Sequence, residues 1–306
     1  MSAQNRHSRE LMSIRGVVGV GTGRGSDNKP AVVVLTERAD IAGIPTHVDT
    51  VKVITYVTGP IHALGKPPDR ERSKGGKPVR SSDRFERPVP IGVSTGNEME
   101  CSSGTIACRV TDGVNVYALS NNHVLAGGNF AAFGSRILQP GLYDSSCQAD
   151  SNNIIGELAN FVPIDYSGGV NKVDAAIVLT STDNLDNATP PDGFGVPLST
   201  PVAPYLDMKV QKYGRTTGLT TGGSVFGLNG CIYVHYEHGT AYFDNQILII
   251  SKRPFIRTGD SGSLVVTVDS NSPVGLVFAG STSGRVAIAN RIDLALNALG
   301  VTIDGL

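Results

Sequence analysis

Short apolar stretches separated by turn-forming residues run through most of the chain. Eight of them lie between residues 91 and 306, and the Gly, Pro, Asn and Ser residues between them predict short β-strands. The predicted strands cover residues 105–110, 114–119, 154–161, 175–180, 209–213, 246–250, 263–268 and 274–279. Many short strands at this spacing are typical of antiparallel β-barrels or sandwiches.

Two helices are predicted, one at each end of the chain. Residues 1–15 carry Leu11 and Ile14 on one side of a short helix. Near the other end, Asn290 is the predicted N-cap of a second helix, and Gly300 is the residue that ends it. The apolar face of this second helix contains Ile292, Leu296 and Leu299.

The first 65 residues predict a small α+β module. After the first helix, residues 16–23 and 31–36 have the pattern of a β-hairpin, and residues 48–57 that of a third strand. The glycine-rich run at 19–25 fits neither a dinucleotide-binding loop nor a P-loop. We therefore interpret its glycines as part of a strand.

Residues 66–90 differ in character from both flanking regions. Between residues 66 and 87 the chain has eight Lys or Arg against four Asp or Glu, and almost no apolar residue. This composition predicts a solvated, flexible linker that proteases cut easily, with contact to an acidic partner as the alternative. The expected organisation is thus a module at 1–65, a linker at 66–90 and a main domain at 91–306.

Composition excludes several classes of function. A net charge of −1 and a pI of about 6.6 give no electrostatic reason to expect binding to nucleic acid or to an anionic membrane. No apolar run approaches the ~20 residues that span a bilayer. The N-terminus lacks the apolar stretch of a signal peptide, so we expect a cytoplasmic protein.

The four cysteines have no metal-ligand spacing, and neither a metal nor a cofactor is expected. We expect reduced, part-buried thiols, with one or two disulfides as the alternative.

Candidate chemistry first appears at residues 257–263, whose sequence is RTGDSGS. Ser261 stands between two glycines in a tight loop, so its hydroxyl has little steric cover. Gly259 permits backbone angles that turn successive N–H groups into one concavity, as an oxyanion hole requires.

A serine hydroxyl needs a neighbouring base to remove its proton. His123 is the best candidate, because it lies where the apolar run 116–119 gives way to small polar residues. The end of a strand would fix its backbone and leave the imidazole in a cleft. The other five histidines are expected to face solvent or to lie outside the β-rich region, and they are His7, His47, His62, His235 and His238.

The imidazole in turn needs a carboxylate that fixes its tautomer. Asp174 is the only charge at the head of an apolar strand, and a buried carboxylate is costly unless some group donates to it. A partner such as His123 is therefore expected. Four other aspartates lie in polar, turn-like surroundings and are expected at the surface, namely Asp144, Asp150, Asp165 and Asp183.

The order His123, Asp174, Ser261, carried by the motifs SNNHVL, VDAAIV and TGDSGS, resembles the trypsin-like (chymotrypsin-fold) serine peptidases of the PA clan. Residues 212–218 (KYGRTTG) are similar to a strand and turn of bacterial members, and residues 274–280 to the strand that pairs with substrate. The resemblance covers about residues 98–300. The leading module is similar to the N-terminal extension of uncharacterised bacterial and plant trypsin-like proteins.

This resemblance implies a mostly β fold, a chymotrypsin-like double antiparallel β-barrel with a C-terminal helix, preceded by the small α+β module. It also implies that Ser261 attacks the scissile carbonyl, that His123 acts as base and then acid, and that Asp174 orients His123. The N–H groups of Gly259 and Ser261 would bind the oxyanion. Asp260 would hold the loop through a buried partner.

The resemblance further implies a substrate pocket that involves Phe255 and Gly280, beside Phe278 on the substrate strand. No carboxylate stands at the base of this pocket, so we expect an apolar or small side chain before the cleaved bond rather than Lys or Arg. Phe278 stands where a small hydroxyl residue is common, which leaves the support of Asp174 in question. The residue after His123 is Val124, not the cysteine of secreted members, which agrees with a reducing compartment.

The sequence thus predicts a regulated intracellular serine endopeptidase. The alternative is a catalytically silent peptide-binding protein on the same fold, and esterase activity is a third possibility. No Ile-Val-Gly-Gly-type activation site is present, so activation by a freed N-terminus is not expected.

The expected partners are a protein or peptide substrate and a regulatory partner protein. The N-terminal module is expected to be a pro-segment, an inhibitor of the site or a partner-recognition piece, and we favour regulation. Homo-oligomers are common among intracellular members, but the sequence shows no specific interface.

Overall fold

The structure is a computed structural model that describes residues 3–64 and 80–306. Its helices are α1 (Ala3–Ser13), α2 (Asn122–Leu125) and α3 (Ile292–Leu299). Before the gap the strands are β1 (Val17–Arg24), β2 (Pro30–Thr36), β3 (His47–Val48), β4 (Val51–Val57) and β5 (Ile61–Ala63). After it come β6 (Ser94–Asn97), β7 (Gly104–Thr105), β8 (Cys108–Thr111), β9 (Val116–Ser120), β10 (Arg136–Leu138), β11 (Ile154–Phe161), β12 (Val170–Asn171) and β13 (Ala176–Thr180). The remaining strands are β14 (Lys209–Gly214), β15 (Gly218–Tyr236), β16 (Gly239–Ile250), β17 (Leu264–Thr267), β18 (Pro273–Ser281), β19 (Val286–Arg291) and β20 (Thr302–Ile303).

The strands form two curled sheets. The first sheet has the order β20-β8-β9-β13-β11-β10-β6-β7. The second has the order β12-β16-β19-β18-β17-β14-β15-β1-β2-β4-β3, with β5 joined to β15 and β18. Strand β18 is buried along its whole length. Strand β19 pairs with one side of it, β17 and then β5 pair with the other side, and α3 packs on it. All eight strands predicted in the main region are present.

Helix α3 begins one residue later than expected. Arg291 occupies the N-cap position, and Gly300 ends the helix in a left-handed conformation with φ of 68°. Asn290 is not the cap, because its side-chain amide is used inside the protein. Its Nδ2 donates to Gln246 Oε1 at 2.7 Å, and its Oδ1 accepts from the backbone N–H of Asp174 at 2.9 Å.

The N-terminal residues extend the second sheet. Strand β1 pairs antiparallel with β2, as the predicted hairpin requires, and on its other side with β15. Helix α1 packs on β1 and buries Leu11. The glycine-rich run lies within β1, where a Cβ at Gly19 would come within 2.5 Å of the Ile232 side chain. The glycines therefore serve close packing within a strand.

The predicted linker at 66–90 lies partly outside the described residues. Its described part, residues 80–90, is held on the barrels by Ser81 and Val89, although five of its other residues are exposed. Ser81 and Val89 are 8% and 1% exposed, and the Ser81 hydroxyl donates to the carbonyls of Gly214 and Arg215. This part of the segment is ordered because its side chains find partners that its composition does not reveal.

Two of the four cysteines differ from the expectation of reduced thiols. Cys101 and Cys147, whose Cα atoms are 5.2 Å apart, form a disulfide. Cys108 and Cys231 are free, and burial raises the pKa of the Cys108 thiol. The expected cytoplasmic location stays a prediction. Within the described ranges, none of the helices is long and apolar enough to cross a membrane.

Candidate active site

His123 and Asp174 meet at one edge of the first sheet. His123 lies in the one-turn helix α2, directly after β9, and Asp174 lies just before β13, which pairs with β9. The Nδ1 atom of His123 lies 2.5 Å from Asp174 Oδ2, and its backbone N–H donates to Asp174 Oδ1 at 3.1 Å. Two contacts therefore fix the ring relative to the carboxylate, as the sequence predicted for this pair.

Asp174 is fully buried, and neutral groups complete its surroundings. The hydroxyl of Tyr236, at the end of β15, donates to Asp174 Oδ2 at 3.0 Å. Burial and the nearby carboxylate raise the pKa of Tyr236 well above its usual value, so the phenol keeps the proton it donates. Sequence reasoning missed Tyr236, which supplies the support that Phe278 cannot give. Asn121 and Asn290 bond to the backbone of Asp174.

The loop that carries Ser261 is held by a buried ion pair. Lys212 on β14 and Asp260 are both fully buried, and Lys212 Nζ lies 3.3 Å from Asp260 Oδ2. Burial lowers the pKa of Lys212, and the neighbouring Asp260 opposes that shift. Asp260 also accepts from the backbone N–H groups of Thr216, Thr217 and Arg257. The buried partner expected for Asp260 is therefore Lys212.

The predicted oxyanion donor at Gly259 points into the cleft. The hydroxyl of Thr216 donates to the Thr258 carbonyl at 2.7 Å. Because the peptide between Thr258 and Gly259 is planar and trans, the Gly259 N–H points the opposite way. It donates to the carbonyl oxygen of Leu64 at 2.7 Å. Gly259 has φ of +96°, which favours glycine. The N–H of Ser261 as second donor stays a prediction.

Ser261 and the helix of His123 lie on either side of Gly104. A Cβ at Gly104 would come within 2.6 Å of the methyl carbons of Val124 and 3.0 Å of the Ser261 carbonyl oxygen. A glycine at this position lets the segments that carry Ser261 and His123 approach each other. The structure therefore brings all three predicted triad segments to one cleft.

The hydroxyl of Ser261 has two partners in this arrangement. It donates to the Phe278 carbonyl at 3.3 Å and accepts from the Leu64 N–H at 3.2 Å. The Nε2 atom of His123 is buried and makes no hydrogen bond within the part of the chain that the structure describes. The bond between hydroxyl and imidazole is therefore not formed here. Catalytic hydrogen bonds are often long or misaligned until substrate is bound.

Of the residues predicted to form the substrate pocket, Phe255 is placed by its side chain, whereas Gly280 and Phe278 are placed by their backbone. Phe255 is fully buried in an apolar cluster with Ile256, Val210 and Leu64. A Cβ at Gly280 would come within 2.1 Å of Ile256 Cδ1, so Gly280 forms one wall beside Ile256.

The side chain of Phe278 packs instead on Phe243, with ring centroids 4.8 Å apart. Only its backbone therefore faces Ser261.

One surface prediction was wrong. Asp144 has a side chain only 8% exposed and pairs with both Nε and Nη2 of Arg215, which is itself buried. Asp144 does lie in a turn, as predicted, but its side chain points to Arg215 of the second barrel rather than to solvent. The other three aspartates are exposed as expected, namely Asp150, Asp165 and Asp183.

The remaining histidines lie away from the triad. His238 is exposed. His235 is half-buried, and its ring packs at a tilt against that of His62, with a centroid distance of 5.4 Å. In residues 3–64 and 80–306, no group of three or more His, Cys, Asp or Glu side chains is placed to bind a metal.

Comparison with known proteins agrees with the two-barrel architecture. A family model described as the Nal1 C-terminal domain matches residues 174–305. Protease A from Thermobifida fusca is 18% identical, with a TM-score of 0.51 over 71% of this chain and 100% of that one. A chymotrypsin from Cellulomonas bogoriensis is 19% identical, with a TM-score of 0.49 over 72% of this chain and 100% of that one. No curated protein sequence matches the chain.

The two curled sheets, the C-terminal helix and the likeness to protease A show that this chain has the chymotrypsin-like fold. It is a protein of the serine-protease fold. The predicted fold class is confirmed, and so is the resemblance to trypsin-like serine proteases at the level of fold.

Proposed function

We propose that this protein is a serine endopeptidase that hydrolyses peptide bonds through an acyl-enzyme intermediate. The observation that carries the proposal is the cleft itself. His123 is fixed by Asp174 with its Nε2 unpartnered among the described residues, and Ser261 lies in the same cleft beside a Gly259 N–H that already binds a peptide carbonyl. These are the parts that amide hydrolysis requires.

In the proposed mechanism, His123 Nε2 takes the proton of the Ser261 hydroxyl as the oxygen attacks the substrate carbonyl. Asp174 stabilises the imidazolium that forms. The Gly259 N–H stabilises the negative charge on the carbonyl oxygen, and losing one such donor typically costs about 2.7–4 kcal/mol of transition-state stabilisation. His123 then protonates the leaving amine, and water hydrolyses the acyl ester.

A catalytically silent peptide-binding protein is the second candidate. The observation in its favour is that the Ser261 hydroxyl donates to the Phe278 carbonyl rather than to His123. In that case the cleft would bind an extended peptide and release it unchanged.

A fluorophosphonate probe separates the two candidates. We expect it to label the wild-type chain at Ser261 and the same preparation to hydrolyse peptide substrates, whereas Ser261→Ala does neither. Hydrolysis of a matched ester but not of a peptide would indicate an esterase. A folded wild type that binds peptides but neither reacts with the probe nor cleaves them would contradict the proposal and favour the silent candidate.

A further inference from the structure

Residues 61–64, which we call the cleft segment, lie along the strand that carries Gly280. Strand β5 pairs antiparallel with β18, with Ile61 opposite Ser281, His62 opposite Gly280 and Ala63 opposite Ala279. Antiparallel pairing of an extended peptide with a sheet edge is a common mode of peptide recognition, in which main-chain bonds give affinity and side-chain pockets give specificity. The chain thus places one of its own peptides along this strand.

The segment ends at the reacting groups. The carbonyl oxygen of Leu64 accepts from the Gly259 N–H at 2.7 Å, and the Leu64 N–H donates to Ser261 Oγ at 3.2 Å. Both bonds come from the backbone of a single residue. The Leu64 carbonyl oxygen therefore accepts from the proposed oxyanion donor, as the carbonyl of a cleaved bond would, and the Ser261 hydroxyl is bonded to the N–H of the same residue.

The side chain of Leu64 is in the predicted pocket. It is 7% exposed and belongs to the buried apolar cluster that contains Phe255 and Ile256. Ile61 is fully buried, whereas His62 is exposed beside His235. The pocket is thus filled by an apolar side chain, in agreement with the absence of a carboxylate at its base.

We infer that the cleft segment is bound as the acyl half of a substrate, and that the protein cleaves its own chain on the carboxyl side of Leu64. This inference rests on the proposed function. It also names a substrate class: extended peptides with a leucine-sized apolar residue immediately before the cleaved bond.

The step balances with water as the only co-reactant. Ser261 Oγ bonds to the carbonyl carbon of Leu64 while its proton passes to His123 Nε2. The bond from that carbon to the next nitrogen then breaks, and His123 gives the proton to this nitrogen, which becomes a new N-terminal amine. Water attacks the ester, gives one proton through His123 back to Ser261 Oγ, and leaves a carboxylic acid on Leu64 that releases its proton to solvent.

The test follows the intact mass of the purified full-length chain with time. The wild type is expected to convert to two fragments, the smaller ending at Leu64, at a rate that does not depend on protein concentration. Ser261→Ala is expected to stay whole. Leu64→Asp places a carboxylate in the apolar pocket, and its cleavage is expected to slow by at least about 100-fold.

Val57→Asp is the matched control, because it adds the same charge at an exposed position of the same region. It is expected to be cleaved as fast as the wild type. A second measurement uses the peptide Ile-His-Ala-Leu carrying a fluorogenic amide, which should be hydrolysed faster than the same peptide ending in Asp or Lys.

Failure of this inference and failure of the proposed function look different. A wild type and a Leu64→Asp variant that both react with fluorophosphonate, while the chain stays whole or is cut elsewhere, would overturn self-cleavage and leave the endopeptidase standing. If neither variant reacts and no peptide is hydrolysed, the proposed function fails and the inference fails with it.

Discussion

The two sides of the cleft each bury a carboxylate next to a predicted catalytic side chain, His123 or Ser261, but they neutralise it differently. Asp174 is surrounded by His123 and by neutral donors such as the Tyr236 hydroxyl. Asp260 instead faces the amino group of Lys212, which is buried with it. A buried charge that loses a charged partner is far costlier than one that loses a neutral donor.

The two arrangements also differ in where their partners come from. Asp174 belongs to the first sheet, yet Tyr236 and Asn290 reach it from β15 and β19 of the second. The partners of Asp260 all lie on β14 or in loops of the second sheet itself. The carboxylate on the His123 side of the cleft (the imidazole side) therefore depends on how the two barrels meet, whereas the carboxylate of Asp260 on the Ser261 side (the serine side) is neutralised within the second sheet.

The largest expected effect is the loss of stability and of labelling when the charge of Lys212 is removed from the serine side. Lys212→Met leaves Asp260 buried without a charged partner, and breaking a buried pair in this way costs about 3–5 kcal/mol of unfolding free energy. We expect a loss of that size in denaturant unfolding, together with loss of fluorophosphonate labelling at Ser261, because the loop loses its anchor.

Lys209→Met is the matched control on the same strand, since Lys209 is exposed. It is expected to leave both measurements unchanged. The double variant Lys212→Met/Asp260→Asn should be less destabilised than the sum of its two single changes, because they share one interaction. Wild-type stability and labelling in Lys212→Met would show that the ion pair does not hold the loop.

Much of this site can be predicted from the sequence because its signals are local. Ser261 stands between glycines, Asp174 is the lone charge at the head of an apolar strand, and His123 follows a strand end. Each signal is contained within a few residues. Even the need for a buried partner of Asp260 can be predicted, although the identity of Lys212 cannot, because it is set by tertiary packing.

The residues that the sequence did not reveal depend on distant pairing. Tyr236 is the last residue of β15. The glycines of this strand resemble turn residues in the sequence, but in the structure they lie inside the strand and leave space for large neighbouring side chains. A Cβ at Gly223 would come within 2.7 Å of the Phe255 ring, and one at Gly227 equally close to Leu248. The cleft segment pairs with residues far along the chain, so no local pattern marks Leu64 as a ligand of the site.

On the imidazole side, losing a neutral donor should have a smaller effect. Tyr236→Phe removes the hydroxyl from Asp174 but keeps the ring, which lies edge-on to His123 at a centroid distance of 5.6 Å. Hydrogen bonds to charged groups contribute about 1.5–3 kcal/mol. Because the remaining contacts still hold the carboxylate, we expect kcat for peptide hydrolysis to fall about tenfold with KM nearly unchanged.

Tyr233→Phe tests whether the effect is specific, since Tyr233 lies on the same strand with an exposed side chain. It is expected to match the wild type. A Tyr236→Phe variant with unchanged kcat would mean that the imidazole side does not depend on the second barrel.

The smallest expected effect concerns the peptide between Thr258 and Gly259, which carries the proposed oxyanion donor. Thr216→Val keeps the shape of the side chain but removes the hydroxyl that holds the Thr258 carbonyl. The Gly259 N–H would stay in place but lose part of its orientation, so kcat should fall by about threefold to fivefold, less than the loss of a whole donor would cause. Thr302→Val, at an exposed position of β20, is the control and should have no effect. A larger loss than in Tyr236→Phe would reverse the comparison, because the serine side would then be the more sensitive one even to a neutral change.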